Sequence, residues 1–252
     1  MVVGRHRRDV TQLGFQLYSL HAVDDPLPAV VERVGETPFD GVEFAGLGDA
    51  SVDELNAALD AAGLHAAGAH VGLEDLEADP AGVARTYRDL GCEAIVVPWL
   101  DPEHFASVEA ATAAGERLSA AADGLAADGL ELHYHNHDQE FADLDGGPAI
   151  DVLLDAADGV GYQVDLGWVG AAGYDPLAVL DRYADRVDLV HLKDYDAAAG
   201  ETVEVGEGDL DVAAAVDAVR HADVDWLVYE AEDRPDSYAT LDAAAGVVDA
   251  DW

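Results

Sequence analysis

Apolar and polar positions along the chain alternate between two rhythms. Short, mostly apolar runs fall at Gln12–Tyr18, Asp40–Phe44, Leu64–His70, Glu93–Pro98, Leu130–His137, Val160–Asp165, Val187–Lys193 and Trp226–Glu230. Their length, β-branched content and flanking turn residues predict strands. The Ala-, Leu-, Val- and Asp-rich stretches between them predict helices. Eight strand-plus-helix units in 252 residues is the arithmetic of a single-domain (β/α)8 TIM barrel over residues 1–252, with residues 1–10 a loose N-terminal tail. In that architecture the chemistry gathers where the strands end, so the residues closing each run are the ones to read.

Helix punctuation agrees with the strand count. Ser51-Val52-Asp53-Glu54 is a capping box, opening a helix that Gly63 is placed to end. Asp79-Pro80 and Asp175-Pro176 put an acid at a cap and proline in the first turn. Gly91 and Gly129 stop helices before the fourth and fifth strands. Asp209 is expected to cap a helix running through Arg220, and Gly115 to interrupt the long helical stretch Asp101–Asp128. Gly200, Gly206 and Gly208 lie in one long loop after the seventh strand, which in a barrel faces the substrate.

Composition narrows the function classes. The chain carries 53 acidic and 12 basic residues, a formal net charge of −41. Acid is dispersed over helices and loops and not gathered in one patch. Such self-repulsion is relieved when salt shortens the Debye length to about 3 Å at molar concentration, so the pattern predicts a high-salt cytoplasm. It argues against nucleic acid as a partner, since phosphate binding needs a basic footprint. No apolar run is long enough to span a membrane, and no signal-like apolar segment follows the basic Arg5–Arg8. The lone Cys92 excludes an internal disulfide and a thiolate metal cluster.

The strand ends carry the candidate chemistry. In Leu130–His137, alternation puts His133, His135 and His137 on one face. Three imidazoles are costly to bury without partners, so they mark a site. Asp165 ends the sixth run, His191 and Lys193 share a face of the seventh, and Glu230 ends the eighth. Asp165 is read as a metal or ion-pair group, with helix capping as the alternative; Lys193 is read as holding a substrate oxygen, with a structural ion pair as the alternative. Carboxylate, imidazole and carboxylate from separate strands form a ligand set for a divalent cation, and mixed O/N ligation suits Mn²⁺, Mg²⁺, Co²⁺ or Zn²⁺. Such a cation would polarise a carbonyl and stabilise an enediolate. His70, Glu43, Trp99, Trp168 and Gln16 lie at or near strand ends and are expected to contact substrate.

Three segments bear a specific resemblance. His133-Tyr134-His135-Asn136-His137-Asp138-Gln139-Glu140-Phe141, Val190-His191-Leu192-Lys193-Asp194-Tyr195 and Glu204-Val205-Gly206-Glu207-Gly208-Asp209-Leu210-Asp211 resemble the sugar phosphate isomerase/epimerase family, the xylose isomerase-like barrels. The first is similar to the Tyr-His-Asn-His-Asp-Phe-Glu-Phe signature of one branch, with Gln139 in place of phenylalanine. The resemblance runs from Gly14 to Glu230. It implies a divalent metal, Mn²⁺ first among the candidates, held by Glu140, Asp165, His191 and Glu230. Many relatives carry the first glutamate inside the fifth strand, where this chain has His133 or His135, so His135 and His137 stand as alternatives to Glu140. The resemblance further implies Glu140 and Glu230 as the acid/base pair, with His135, His137 and Lys193 in the catalytic set.

The leading expectation is therefore an isomerase or epimerase of a small sugar, keto-sugar or cyclitol. Its alternatives are a dehydratase of the inosose or dehydroshikimate type, which shares the first proton abstraction, and a non-catalytic sugar-binding barrel. A three-metal repair nuclease is disfavoured by charge. Lys193 and Arg234 are the only cations near the strand ends, which favours an unphosphorylated substrate. Relatives often pair, so a homodimer is left open beside the monomer.

Overall fold

The computed structural model describes residues 10–144, 146–232 and 237–251; the expected N-terminal tail therefore lies almost wholly outside the described residues, as does Arg234. Eight parallel strands close into a barrel. They are β1 (Gln12–Gln16), β2 (Gly41–Phe44), β3 (His65–His70), β4 (Ala94–Val97), β5 (Glu131–His135), β6 (Val160–Asp165), β7 (Val187–Leu192) and β8 (Trp226–Tyr229). Each pairs with its sequence neighbours, and β1 closes the ring against β8 with Gln12 opposite Trp226. Helices Leu27–Val34, Val52–Ala62, Pro80–Asp89, Val108–Ala126, Ala149–Ala156, Pro176–Tyr183, Val212–His221 and Ser237–Asp251 follow the strands and form the outer layer. Among the described residues no helix is long and apolar enough to cross a membrane.

Two cores result from the alternation of side chains along the strands. The larger one lies between barrel and helices, where Tyr134, Tyr162, Phe15, Phe44 and Ile95 are fully buried. A small one, Ala67, Ala94, Leu189, Trp226 and Val228, plugs the barrel interior. His133 shares that interior. Gly161 makes room for it, because a Cβ there would lie 2.2 Å from His133 Nδ1. Above this plug the inward positions turn polar, and the site begins.

The helix caps follow the expected punctuation in most places. Ser51 and Glu54 form the reciprocal capping box, and Gly63 ends that helix at φ +70°. Asp79 accepts the Gly82 N–H and Asp175 the Leu177 and Ala178 N–H groups, each acid standing directly before a proline. Two expectations are corrected. Asp211, not Asp209, caps Val212–His221; the Asp209 carboxylate instead accepts the Ala197 N–H at 2.9 Å. Gly115 does not interrupt its helix but lies buried within Val108–Ala126, where a Cβ would stand 2.4 Å from the Leu153 carbonyl. It serves close helix–helix approach, which outweighs the cost of glycine in a helix. Cys92 is buried just before β4, and burial pushes its thiol up to about 12, so it is an unreactive core group.

The long loop after β7 is organised by one side chain. Asp194 is fully buried, and its carboxylate accepts the N–H groups of Tyr195, Gly206, Gly208 and Leu210 at 2.8–3.0 Å. Within the loop, Asp194–Asp196 pairs antiparallel with Glu201–Val203. An Asp194→Asn substitution turns one acceptor oxygen into a donor facing N–H groups. It is expected to lower stability by about 2–4 kcal/mol and to speed amide exchange at Gly206, Gly208 and Leu210, measured by denaturant unfolding and hydrogen exchange.

Candidate active site

The last residue or two of each strand converge at the mouth. Asp165 closes β6, His135 closes β5, His191 stands one residue from the end of β7, and Glu230 directly follows β8. One donor atom from each of these four lies within 4.8 Å of the others, and all four side chains are buried. His135 Nε2 is 3.2 Å from His191 Nδ1 and 3.3 Å from Asp165 Oδ2; His191 Nδ1 is 2.8 Å from Glu230 Oε2 and 3.8 Å from Asp165 Oδ2. Ligands sharing a tetrahedral ion at ~2.1 Å stand roughly 3.4 Å apart, so this spacing fits a metal site. Two ring nitrogens facing each other at 3.2 Å need a proton or a cation between them. Asp165 Oδ2, fully buried, faces the same gap and adds a negative charge to it.

Asp165 caps a helix and faces the donor cluster at once. Its Oδ1 accepts the Trp168 N–H at 2.8 Å, starting the helix Leu166–Ala171, while Oδ2 faces the cluster. Lys193 is fully buried, with its Nζ 3.1 Å from Asp165, 2.9 Å from Glu230 and bonded to Glu232. Burial disfavours its ammonium, but these three carboxylates outweigh that and hold its pKa above the ordinary lysine value. Burial likewise opposes ionisation of Asp165, which Lys193 and His135 nevertheless bring down to about 2. His191 is raised to about 10 because Glu230 and Glu43 outweigh burial, whereas burial dominates at His135 and lowers it to about 4.

A cavity of about 630 Å³ opens over the cluster, lined by Tyr18, His70, Trp99, His135, His137, Trp168, Glu230 and Glu232 among others. His137 lies between the two indoles, its ring 4.6 Å from Trp99 and 5.3 Å from Trp168. The buried Nδ1 of His137 and Nε1 of Trp168 have no partner. His70, His137, Trp99 and Trp168 thus all line this cavity. Burial lowers His137 to about 2, so it is a neutral imidazole there.

Other expectations are corrected. Glu140 does not join the cluster. It lies in the short helical turn Gln139–Phe141, and its carboxylate accepts Tyr134 Oη–H and the His137 N–H at 2.9 Å. Tyr134 belongs to the outer core, because it has the opposite parity to His135; Glu140 is drawn to that side of the sheet. His135 stands in its place. His133, two residues earlier on the same face, is too deep to reach the mouth and neighbours Glu131 and Asp188 instead. Glu43 and Gln16 are fully buried beneath the cavity floor and do not line it. Gln163 and Glu232 went unassigned in the sequence. Gln163 was legible as a polar residue two positions before Asp165, hence on its face of β6.

The comparisons agree with the fold. The family model described as xylose isomerase-like TIM barrel matches residues 31–249. A sugar phosphate isomerase/epimerase from Parabacteroides distasonis has the same fold at 18% identity, with a TM-score of 0.81 over 98% of this chain and 96% of that one. The 3-keto-D-glucoside 4-epimerase of E. coli is 19% identical, with a TM-score of 0.72 over 95% and 99%. An inosose dehydratase of Geobacillus kaustophilus is 30% identical over 127 residues, a match spanning 42% of this chain and only 41% of that protein.

Glu140 makes a pH-dependent contribution that stands apart from the donor cluster. Burial raises its carboxyl to about 7 from the ordinary 4.5, against the hydrogen bonds from Tyr134 and His137. The folded state therefore keeps a proton that the unfolded chain releases, and stability falls as pH rises through this window. Relative to Glu140→Gln, which has nothing to ionise, wild type is expected to lose about 3 kcal/mol between about pH 5 and about pH 8. Paired denaturant titrations measure this; a pH-independent difference would show that Glu140 is already ionised at pH 5.

Proposed function

Because the chain belongs to the xylose isomerase-like TIM barrel family, we propose that it is a divalent-metal-dependent isomerase or epimerase of a small neutral sugar, keto-sugar or cyclitol. The observation that carries this reading is the convergence of His135, Asp165, His191 and Glu230 donors within 4.8 Å of one another. Those four residues would hold the ion, and Mn²⁺, Mg²⁺, Co²⁺ and Zn²⁺ all suit two nitrogens and two carboxylates. Bound there, the ion supplies Lewis acidity that draws electron density from a carbonyl oxygen next to the carbon losing its proton.

The chain's own groups do the remaining work. With Glu140 out of reach, Glu230 is the base that takes the proton, since it both reaches the cluster and lines the cavity. Glu232 lines the same cavity, and burial raises its pKa, so it is the second carboxylate able to return a proton. Lys193 lies behind both and holds them in place. Trp99, Trp168 and His137 form an aromatic wall suited to the C–H face of a ring. Among the described residues no arginine or lysine lines this cavity, which favours an unphosphorylated substrate.

A dehydratase is the second reading. It is favoured by the partial match to an inosose dehydratase. In that case Glu232 protonates a departing hydroxyl instead of a carbon. In heavy water with Mn²⁺, a panel of ketoses and inososes is expected to show deuterium at one carbon, lost on chelation and reduced at least about 1,000-fold in Glu230→Gln. An unsaturated, ultraviolet-absorbing product selects the dehydratase. Neither deuterium nor unsaturation across the panel removes both readings.

The net charge of −41 supports residence in a high-salt cytoplasm. The thermal midpoint is expected to rise steeply between about 0.1 M and about 2 M KCl as screening relieves self-repulsion. A flat response would contradict this.

A further inference from the structure

Glu43 is fully buried among four polar side chains, Gln16, His70, Gln163 and His191, and takes no part in lining the cavity. Its Oε1 accepts Gln163 Nε2–H at 2.7 Å; its Oε2 accepts Gln16 Nε2–H at 2.7 Å and lies 2.6 Å from His191 Nε2 and 3.2 Å from His70 Nε2. The two amides can present only their nitrogens. Gln16 Oε1 is engaged by the Tyr18 N–H at 3.0 Å and Gln163 Oε1 by His70 Nε2 at 3.1 Å. The backbone is arranged for this meeting. The strand register shifts between Val42 and Glu43 in β2 and between Tyr162 and Gln163 in β6. Irregularities of that kind re-aim the side chain that follows, and the two re-aimed side chains are the ones that bond across the barrel.

We infer that Glu43 is a positioning residue that fixes the ring orientation of His191 and keeps the hydrogen on Nε2, so that Nδ1 is the atom offered to the metal. An ionised carboxylate has no proton to give, so Nε2 of His191 must carry the hydrogen in their 2.6 Å contact. The opposite nitrogen, Nδ1, then faces His135, Asp165 and Glu230. A carboxylate behind a ligating imidazole in this way sets which nitrogen binds and strengthens it as a ligand. Glu43, His70 and His191 also lie close enough together to suggest a second ion. The amide N–H groups of Gln16 and Gln163 aimed at Glu43 make that arrangement a donor-filled anion pocket, not a cation site. The inference rests on the proposed metal at His135, Asp165, His191 and Glu230, and the experiment separates the two.

Full-length protein in high salt is titrated with Mn²⁺ calorimetrically, and nitrogen-labelled protein loaded with Cd²⁺ is examined by NMR. Wild type is expected to bind one ion per chain. Cadmium should couple to Nδ1 of His191, and Nε2 should keep a hydrogen-bonded proton. Glu43→Gln is expected to bind Mn²⁺ about 10- to 100-fold more weakly while retaining its circular dichroism. Should that variant fail to fold, Gln163→Leu, which leaves the carboxylate but removes a donor, is expected to weaken binding in the same direction. Coupling through Nε2 would overturn the inference. So would unchanged affinity in the folded variants, or a second ion that Glu43→Gln abolishes. A folded wild type that binds no divalent ion would instead fell the proposed function, and this inference with it.

Discussion

The mouth of this barrel is governed by the cost of burying charge. Glu43, Asp165, Glu230, Lys193 and His191 are all almost completely withdrawn from water. A lone ion in that position would be untenable; here every one has an oppositely charged or hydrogen-bonding neighbour. His191 is the hinge of the arrangement, held through Nε2 by Glu43 on one side and through Nδ1 by Glu230 on the other. Lys193 ties Asp165 to Glu230 from behind. The polar layer is thus a single electrostatic unit, and the apolar plug around Trp226 beneath it keeps it at the strand ends.

The fold was largely legible in the sequence because two periodicities and their punctuation were consistent. The strand runs were found within a few residues, and the caps at Ser51, Asp79 and Asp175 announce themselves through side chains that serve only their own helix start. Gly115 was misread because propensity knows nothing of the Leu153 carbonyl across the helix pair. Asp209 was misread because two acids, two residues apart, compete for one cap, and the sequence does not say which one the loop will claim.

The site was legible to the extent that parity is local. Asp165, His191 and Glu230 end their strands, and alternation alone points them to one place. Glu140 follows its strand by five residues, in a turn where parity no longer applies, and the outward-facing Tyr134 captures it. Gln16 and Glu43 have the right parity, but depth within the barrel decides between lining a cavity and supporting its floor. Depth depends on strand stagger and on register shifts, neither of which a single chain reveals.

Asp165 divides its two oxygens between a backbone amide and the donor cluster. That division makes the helix from Leu166 part of the site's own framework. A drift of this helix would drag one oxygen off its neighbours, and a rearrangement among those neighbours would unseat the start of the helix. The wall bearing Trp168 is therefore mechanically tied to the cluster, since one carboxylate anchors both.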